Sequence, residues 1–333
     1  MKRKILGIFL FVTAISFAQP KISEISSMPG AFSRMGFGAR GMGMGNALSA
    51  VTSGNLVSYY NPALSVFQDN NSFQTSYSFL SLDRSLNFLS FTRHFDFYSK
   101  SDSDNVNRKP RSTAGISVGI INSGVSNIDG RDNSGNPTGP LSTSENQFFL
   151  GLANRFSPKF ALGIELKFYY YRLYDKISSS GFGIDLGALY KLNDKWNISF
   201  VISDLNSKYK WDTSPIYQEQ GSTSTDSFPL LKKIGVSYTN NHLGIIASAE
   251  FENSNAGTNI IRAGIEYNIF NDFYLRTGID QYNLSNLDYP ANPSFGFSYF
   301  KNFDNIKIGV DYAFVIEPYS SQDRHIVGIS VNF

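Results

Sequence analysis

Cysteine is absent from the 333 residues. That excludes a disulfide framework and any thiolate metal site, although the absence alone assigns no compartment. Long apolar runs are missing as well. No internal stretch approaches the ~18 residues that a membrane helix requires, yet 41% of the chain is hydrophobic and 15% aromatic. Histidine is scarce: His94, His242 and His325 are the only three, far apart and in no metal-ligand spacing. No G-x-S-x-G nucleophile elbow occurs. The chain reads as a non-enzyme, and neither a cofactor nor a metal is expected.

The first residues read as a leader rather than part of the fold. Lys2, Arg3 and Lys4 form a basic start, Ile5 to Ile15 an apolar stretch too short to span a bilayer, and Ser16-Phe17-Ala18 a small-residue cleavage site, which places the signal peptide at 1–18. No cysteine follows Ala18, so a lipoprotein is excluded. The leader holds three bases and no acid, so the net charge of +2 becomes −1 without it. A near-neutral chain argues against nucleic acid as a partner.

What is present is alternation. From Phe73 onward, segments of about ten residues alternate apolar with polar or small side chains, which is the pattern of a transmembrane β-barrel. Phe160, Leu162, Ile164, Leu166 and Phe168 share one face, against Ala161, Gly163, Glu165, Lys167 and Tyr169. Phe182, Ile184 and Leu186 oppose Gly183, Asp185 and Gly187, and Ile306, Ile308, Val310 and Tyr312 oppose Lys307, Gly309 and Asp311. The pattern predicts about fourteen strands, an even number, from 73–82 through 322–333.

The connections alternate too. Ser157-Pro158, Asn193-Asp194, Asn240-Asn241-His242, Phe270-Asn271 and Asn302-Phe303-Asp304 are tight turns, whereas 125–144, 205–228 and 283–292 are long and polar. Short periplasmic turns and longer outer loops predict both ends of the barrel chain on the periplasmic side of an outer membrane. The connection 98–112 departs from this, being long on the periplasmic side. Aromatic pairs flank the short turns, namely Phe156 and Phe160, Tyr190 and Trp196, Phe270 and Phe273, and Phe300 and Phe303. They predict an interfacial girdle. A soluble sandwich or propeller would need neither the alternating turns nor the aromatic placement.

Ahead of the strands lies Gly36 to Leu64, too rich in glycine for an ordinary helix or strand. A barrel of this size encloses more space than side chains fill, so residues 19–71 are expected to form a periplasmic segment and plug inside a barrel of 72–333. Gly36, Gly38 and Gly41 match G-x-G-x-x-G, but no apolar strand precedes them and the chain downstream of them is all-β, so a phosphate cradle is excluded. The glycines instead let backbone pack closely on the wall.

GARGMGMGNALSAV followed by SYYNPAL resembles the N-terminal motif of PorV/PorQ-type outer-membrane proteins, relatives of FadL-like transporters of hydrophobic compounds. The resemblance covers most of the chain. It continues in ALGIELKFYYYRL, in GFGIDLGALYKL, in Phe228-Pro229-Leu230 with the strand after it, and in the last strand from His325 to the terminal Phe333. It assigns Gly38, Arg40, Gly41, Gly43 and Gly45, with Asn61, Pro62 and Ala63, to the plug motif. Thr52-Ser53-Gly54 stands where that family often carries acids. The resemblance implies a docking or shuttle role in type IX-like protein secretion, with secretion components as partners beside the outer-membrane lipid. The alternative is a FadL-like channel for a hydrophobic ligand, with Met35, Phe37, Met42 and Met44 lining its pocket.

By register, Glu165, Lys167, Asp185, Arg262, Glu266, Arg276, Asp280, Lys307, Asp311 and Arg324 point inward. They cannot face lipid and must pair with one another, the plug or water. The expected role is a network that holds the plug, with Arg34 and Arg40 joining it, rather than a substrate path or proton relay. Arg40 is expected to meet Asp185, Glu165 or Asp311. The oxygen-rich clusters Asp102, Asp104, Asn105, Asn107 and Asp129, Asp132, Asn133 match no full calcium loop and read as solvated. Deleting residues 30–64 is expected to raise single-channel conductance in planar bilayers; unchanged conductance would sink the plug assignment.

Overall fold

The computed structural model describes residues 23–98, 110–270 and 272–333. The leader and residues 99–109, with the Asp102–Asn107 cluster, lie outside them. The strands in chain order are β1 (Ser72–Phe79), β2 (Arg84–Phe97), β3 (Ser112–Arg131), β4 (Pro137–Ser157), β5 (Phe160–Tyr174), β6 (Ile177–Lys191), β7 (Trp196–Leu205), β8 (Lys208–Asp212), β9 (Thr223–Ser227), β10 (Leu231–Asn240), β11 (Ile245–Ser254), β12 (Asn259–Phe270), β13 (Phe273–Asn283), β14 (Asn292–Phe303), β15 (Ile306–Val315) and β16 (Arg324–Asn332). All but β8 and β9 form one closed antiparallel barrel of fourteen strands. Closure is direct, because β1 pairs with β2 on one side and with β16 on the other, Ser72 opposite both Thr92 and Asn332.

Closure follows from the solvent. In a bilayer no water satisfies a free backbone N–H, so every strand needs a neighbour on each edge. The period of two then sorts the side chains. Phe182, Ile184 and Leu186 of β6 are exposed on the outer surface, while Asp185 between them is buried inside. The same division holds on β5, where Leu162, Ile164 and Leu166 face out and Glu165, Lys167 and Tyr169 face in. The outward apolar band is the lipid-facing surface, and the chain is an outer-membrane barrel.

The tight turns are made by short polar side chains that bond nearby amides. The Asn193 Oδ1 accepts from the amides of Lys195 and Trp196, the Asn240 Oδ1 from those of His242 and Leu243, and the Ser157 Oγ from those of Lys159 and Phe160. Two segments expected as loops carry strand. Over 125–144, β3 and β4 continue as a ribbon past a bulge between Val125 and Ile128, closing on a turn in which the Asp132 Oδ1 accepts from the amides of Ser134 and Asn136. Outside the bilayer neither face of the ribbon need be apolar, so its strands leave no hydrophobic period. Over 205–228, β8 and β9 pair as a hairpin that bends into the barrel mouth. Tyr209 and Phe228 bury their rings there against Tyr169, whose centroid lies 4.6 Å from that of Phe228.

The segment before β1 lies inside the barrel. Its elements are short: a helix α1 over Gly38–Gly43 and a 3-10 turn over Pro62–Phe67. Asn61 starts that turn, its Oδ1 accepting from the Ala63 amide while its Nδ2 donates to the carbonyls of Ser49 and, on the wall, Ala188. The close approach expected of the plug glycines is shared by glycines of the wall. A Cβ placed on Gly163 would stand 2.4 Å from the Pro62 carbonyl carbon, and one on Gly278 would stand 2.3 Å from the Gly45 nitrogen. Backbone therefore packs on backbone. Gly278→Val is expected to destabilise the assembled barrel by about 1–3 kcal/mol through overpacking, read as a lower temperature for the heat-induced shift on a denaturing gel. Leu275→Val on the lipid face is the control and should shift it little.

Candidate functional site

The corner Met44–Gly45 is lodged on β12 and β13. A Cβ on Gly264 would meet the Met44 carbonyl oxygen at 2.2 Å, and one on Gly45, at φ 60, would meet the Ile279 and Ala263 carbonyl oxygens at 2.6 and 2.7 Å. This corner divides the inward charges of those two strands into an outer group and a periplasmic group.

Arg40 lies on the periplasmic side. Its guanidinium holds Glu266 with two bonds, Nε to Oε2 at 2.9 Å and Nη2 to Oε1 at 2.8 Å, and donates Nη1 to the Asn55 carbonyl at 3.1 Å. The partner is thus Glu266, not Asp185, Glu165 or Asp311. The seat of Met44 on Gly264 brings α1 over the residue two positions along β12, whereas Glu165 and Asp185 sit on β5 and β6. Arg276 holds the same Glu266 at 2.5 Å and lies 3.6 Å from Asp311. Ser298 bridges Arg276 to Asp311, and Ser330 donates to the other oxygen of Asp311 at 2.9 Å.

Arg262 lies on the outer side of the corner. It reaches Asp280 at 2.7 Å, Glu252 at 3.0 Å and Glu250 at 3.4 Å, and Lys233 adds a second cation 3.6 Å from Glu252. A bulge in β13, with Gln281 at φ 60, aims Asp280 so that it also accepts from Asn46 of the plug at 2.8 Å. On the far wall Lys167 sits 2.7 Å from Asp185 and 3.3 Å from Asp204, whose Oδ1 also accepts from the Tyr169 hydroxyl. Glu165 is fully buried beside them and makes no hydrogen bond among the described residues. Arg324 pairs with Glu317 and donates to the Met35 carbonyl, and Lys307, half-exposed at the rim, pairs with Asp272.

Arg34 stays out of this network. It donates to the carbonyls of Pro29 and Ile25 instead of meeting a wall carboxylate. The sequence reading missed six network members, one of them Asp272, which sits in the turn before β13 where no period places it. Glu250 and Glu252 flank the outward Phe251 in period two and were legible as an inward pair. Lys233 was legible in the same way opposite Ile234. Asp204 was hidden because a bulge at the end of β7 buries it and Ser203 in succession, with Asp204 at φ 63. Glu317 lies in a loop, where no period applies.

Among the described residues, two sizeable cavities flank the plug. The outer one, of about 980 Å³, takes apolar surface from Ile25, Met35, Met42, Ile260 and Val315, with Arg34, Arg84 and Arg324 among its polar groups. Phe37 and Met44, expected in the pocket, do not line it. Phe37 packs its ring 4.9 Å from that of Phe88, and Met44 is the wedge on the wall. The periplasmic cavity, of about 350 Å³, has Arg40, Glu266 and Arg276 at its floor. Phe300 lines it as well. It belongs to the inward face with Ser294 and Ser298, so it is not part of the outward girdle to which Phe156, Tyr190 and Trp196 contribute.

The chain matches no known sequence family and no curated protein. Among solved structures it is similar to the Pseudomonas putida toluene transporter TodX, at 15% identity and TM-score 0.57, over 89% of this chain and 96% of that one. The Ralstonia pickettii toluene transporter TbuX gives 13% and 0.56 over 89% and 97%, and a Pseudomonas aeruginosa FadL homologue 11% and 0.52 over 89% and 98%. The fold is that of a FadL-like outer-membrane barrel.

The geometry ranks two substitutions. Arg40→Ala leaves Glu266 still held by Arg276. Glu266→Ala leaves two buried guanidiniums without their shared carboxylate, a loss on the order of 3–5 kcal/mol. Glu266→Ala is therefore expected to lower the heat-shift temperature more than Arg40→Ala, and both barrels should still insert. Equal shifts would remove Arg276 from the account.

Proposed function

We propose that the barrel passes hydrophobic small molecules across the outer membrane, taking them up at the outer cavity. The observation that carries this reading is the outer cavity itself. It is concave, large enough for a small molecule, and partly walled by Met35, Met42, Ile25, Ile260 and Val315, where an apolar guest loses its contact with water. The similar structures named as toluene transporters support the same reading. They lend nothing to the secretion-docking role that the PorV/PorQ resemblance implies, so passage is preferred over docking.

Met42 is the side chain to test. It lines the cavity and is otherwise buried against the wall, its sulfur 4.0 Å from the Ser78 Oγ. The arginines of the cavity do not oppose an apolar guest, since Arg34 and Arg84 are committed to backbone carbonyls and Arg324 to Glu317 and the Met35 carbonyl, which leaves the guest to rest on the thioether and aliphatic surface. Cells that express the barrel are expected to take up labelled toluene faster than cells without it, and Met42→Trp should cut that uptake several-fold with the barrel still folded. Uptake no faster than in cells lacking the barrel would overturn the proposal. A pull-down that returns secretion components would then favour docking.

A further inference from the structure

We propose that the periplasmic cavity is a binding site for a neutral saccharide carrying acetamido groups. The inference does not rest on hydrophobic passage, because it concerns the other face of the plug and a different chemistry. Six asparagines line this one cavity: Asn55, Asn240, Asn268 and Asn332 partly buried, Asn70 and Asn241 at the rim. Asn240 is committed to its own turn and to the Tyr238 hydroxyl, whereas none of the other five side chains makes a hydrogen bond within the described residues. Asparagines inside the barrel behave differently. Asn46, Asn61 and Asn197 each spend their amides on the plug or the wall.

The uncommitted groups are costly where they stand. Asn55, Asn268 and Asn332 are partly withdrawn from water and have no partner among the described residues for their side-chain amides, so a guest that supplies hydrogen bonds is favoured there. Each amide offers two donors and an acceptor. The ligand must therefore donate and accept at several closely spaced points, as hydroxyl and acetamido groups do.

Charge excludes the common alternatives. Arg40 and Arg276 are both committed to Glu266, Arg276 also to Asp311, and Lys307 to Asp272. Only the exposed Asp69 at the rim has no counter-ion among the described residues. No free cation awaits an anion there. Tyr274, its ring centroid 5.8 Å from that of Phe300 in an edge-to-face pair, supplies an apolar flank of the kind on which the CH face of a sugar ring packs, while the Phe300 face is taken by the Lys307 ammonium 5.1 Å from its centroid. The volume, about 350 Å³, is at the lower end of small-molecule sites and suits one or two sugar rings.

Such rings could come from free oligosaccharide or from the glycan of the cell wall. The purified full-length barrel, kept in a detergent without a sugar headgroup, is titrated calorimetrically with N,N′-diacetylchitobiose. Saturable binding is expected, weakened roughly tenfold or more in Asn268→Leu/Asn332→Leu and in Tyr274→Ala. The heat-shift temperature of each variant checks that it remains folded, and Asn193→Asp at a distant turn should bind as the parent does. No saturable binding by the parent, unaltered binding by both folded cavity variants, or displacement of the disaccharide by glycerol phosphate would each overturn the proposal. Sedimentation with purified sacculi separates the sources: retention lost in the double variant identifies wall glycan, and absence of retention beside disaccharide binding identifies free sugar.

Discussion

Backbone resting on backbone is the contact from which the interior is built. The corner at Met44 and Gly45 meets β12 and β13 where the wall presents Gly264 and Gly278, and the turn from Asn61 to Ala63 meets Gly163 in the same way, with the Asn61 side chain and the Pro62 ring against Gly187. A side chain at any of these positions would hold the two surfaces apart. With the surfaces in contact, the plug's own polar groups come within reach of wall carboxylates and carbonyls. Bonds such as Arg40 to Glu266 and Asn61 to Ala188 are thus consequences of the seating. They then lock it, because each charged group drawn out of water has a partner whose removal leaves it stranded.

The same seating explains why the interior is so heavily charged. The outer face of each strand is dictated by lipid and has no freedom to be polar. The inner face must therefore carry whatever specifies the plug's position. Apolar contacts alone would let a glycine-rich segment slide, since they are non-directional. The bidentate grip of Arg40 and the convergence of Glu250, Glu252 and Asp280 on Arg262 fix both height and rotation.

The barrel was legible in the sequence because lipid imposes period two along the spanning part of each strand wherever no bulge intervenes. Fourteen strands and the inward face of β5, β6 and β15 follow from counting. Partner identity did not follow, because register gives the direction of a side chain and not its height relative to the plug. Arg40 could be seen to need a carboxylate, yet Glu266 could be chosen only once Met44 was known to rest on Gly264. Counting also fails wherever a bulge adds a residue, as at Asp204 and at Asp280 with Gln281. It fails again beyond the bilayer, where β3 and β4 continue in polar sequence.

That continuation leaves a two-stranded ribbon standing clear of its neighbours. β2 pairs with β3 only as far as Val125, and β5 with β4 only from Ser144, so both outer edges of the ribbon above those points lack a partner strand. Bare edges in a crowded membrane are templates on which a second molecule can add its own strand. Here Pro137 and Pro140 remove two amide donors from one of the strands, and Asp129 and Arg131 charge the other. The ribbon thereby discourages sideways stacking, and many copies can share one membrane without knitting into a sheet.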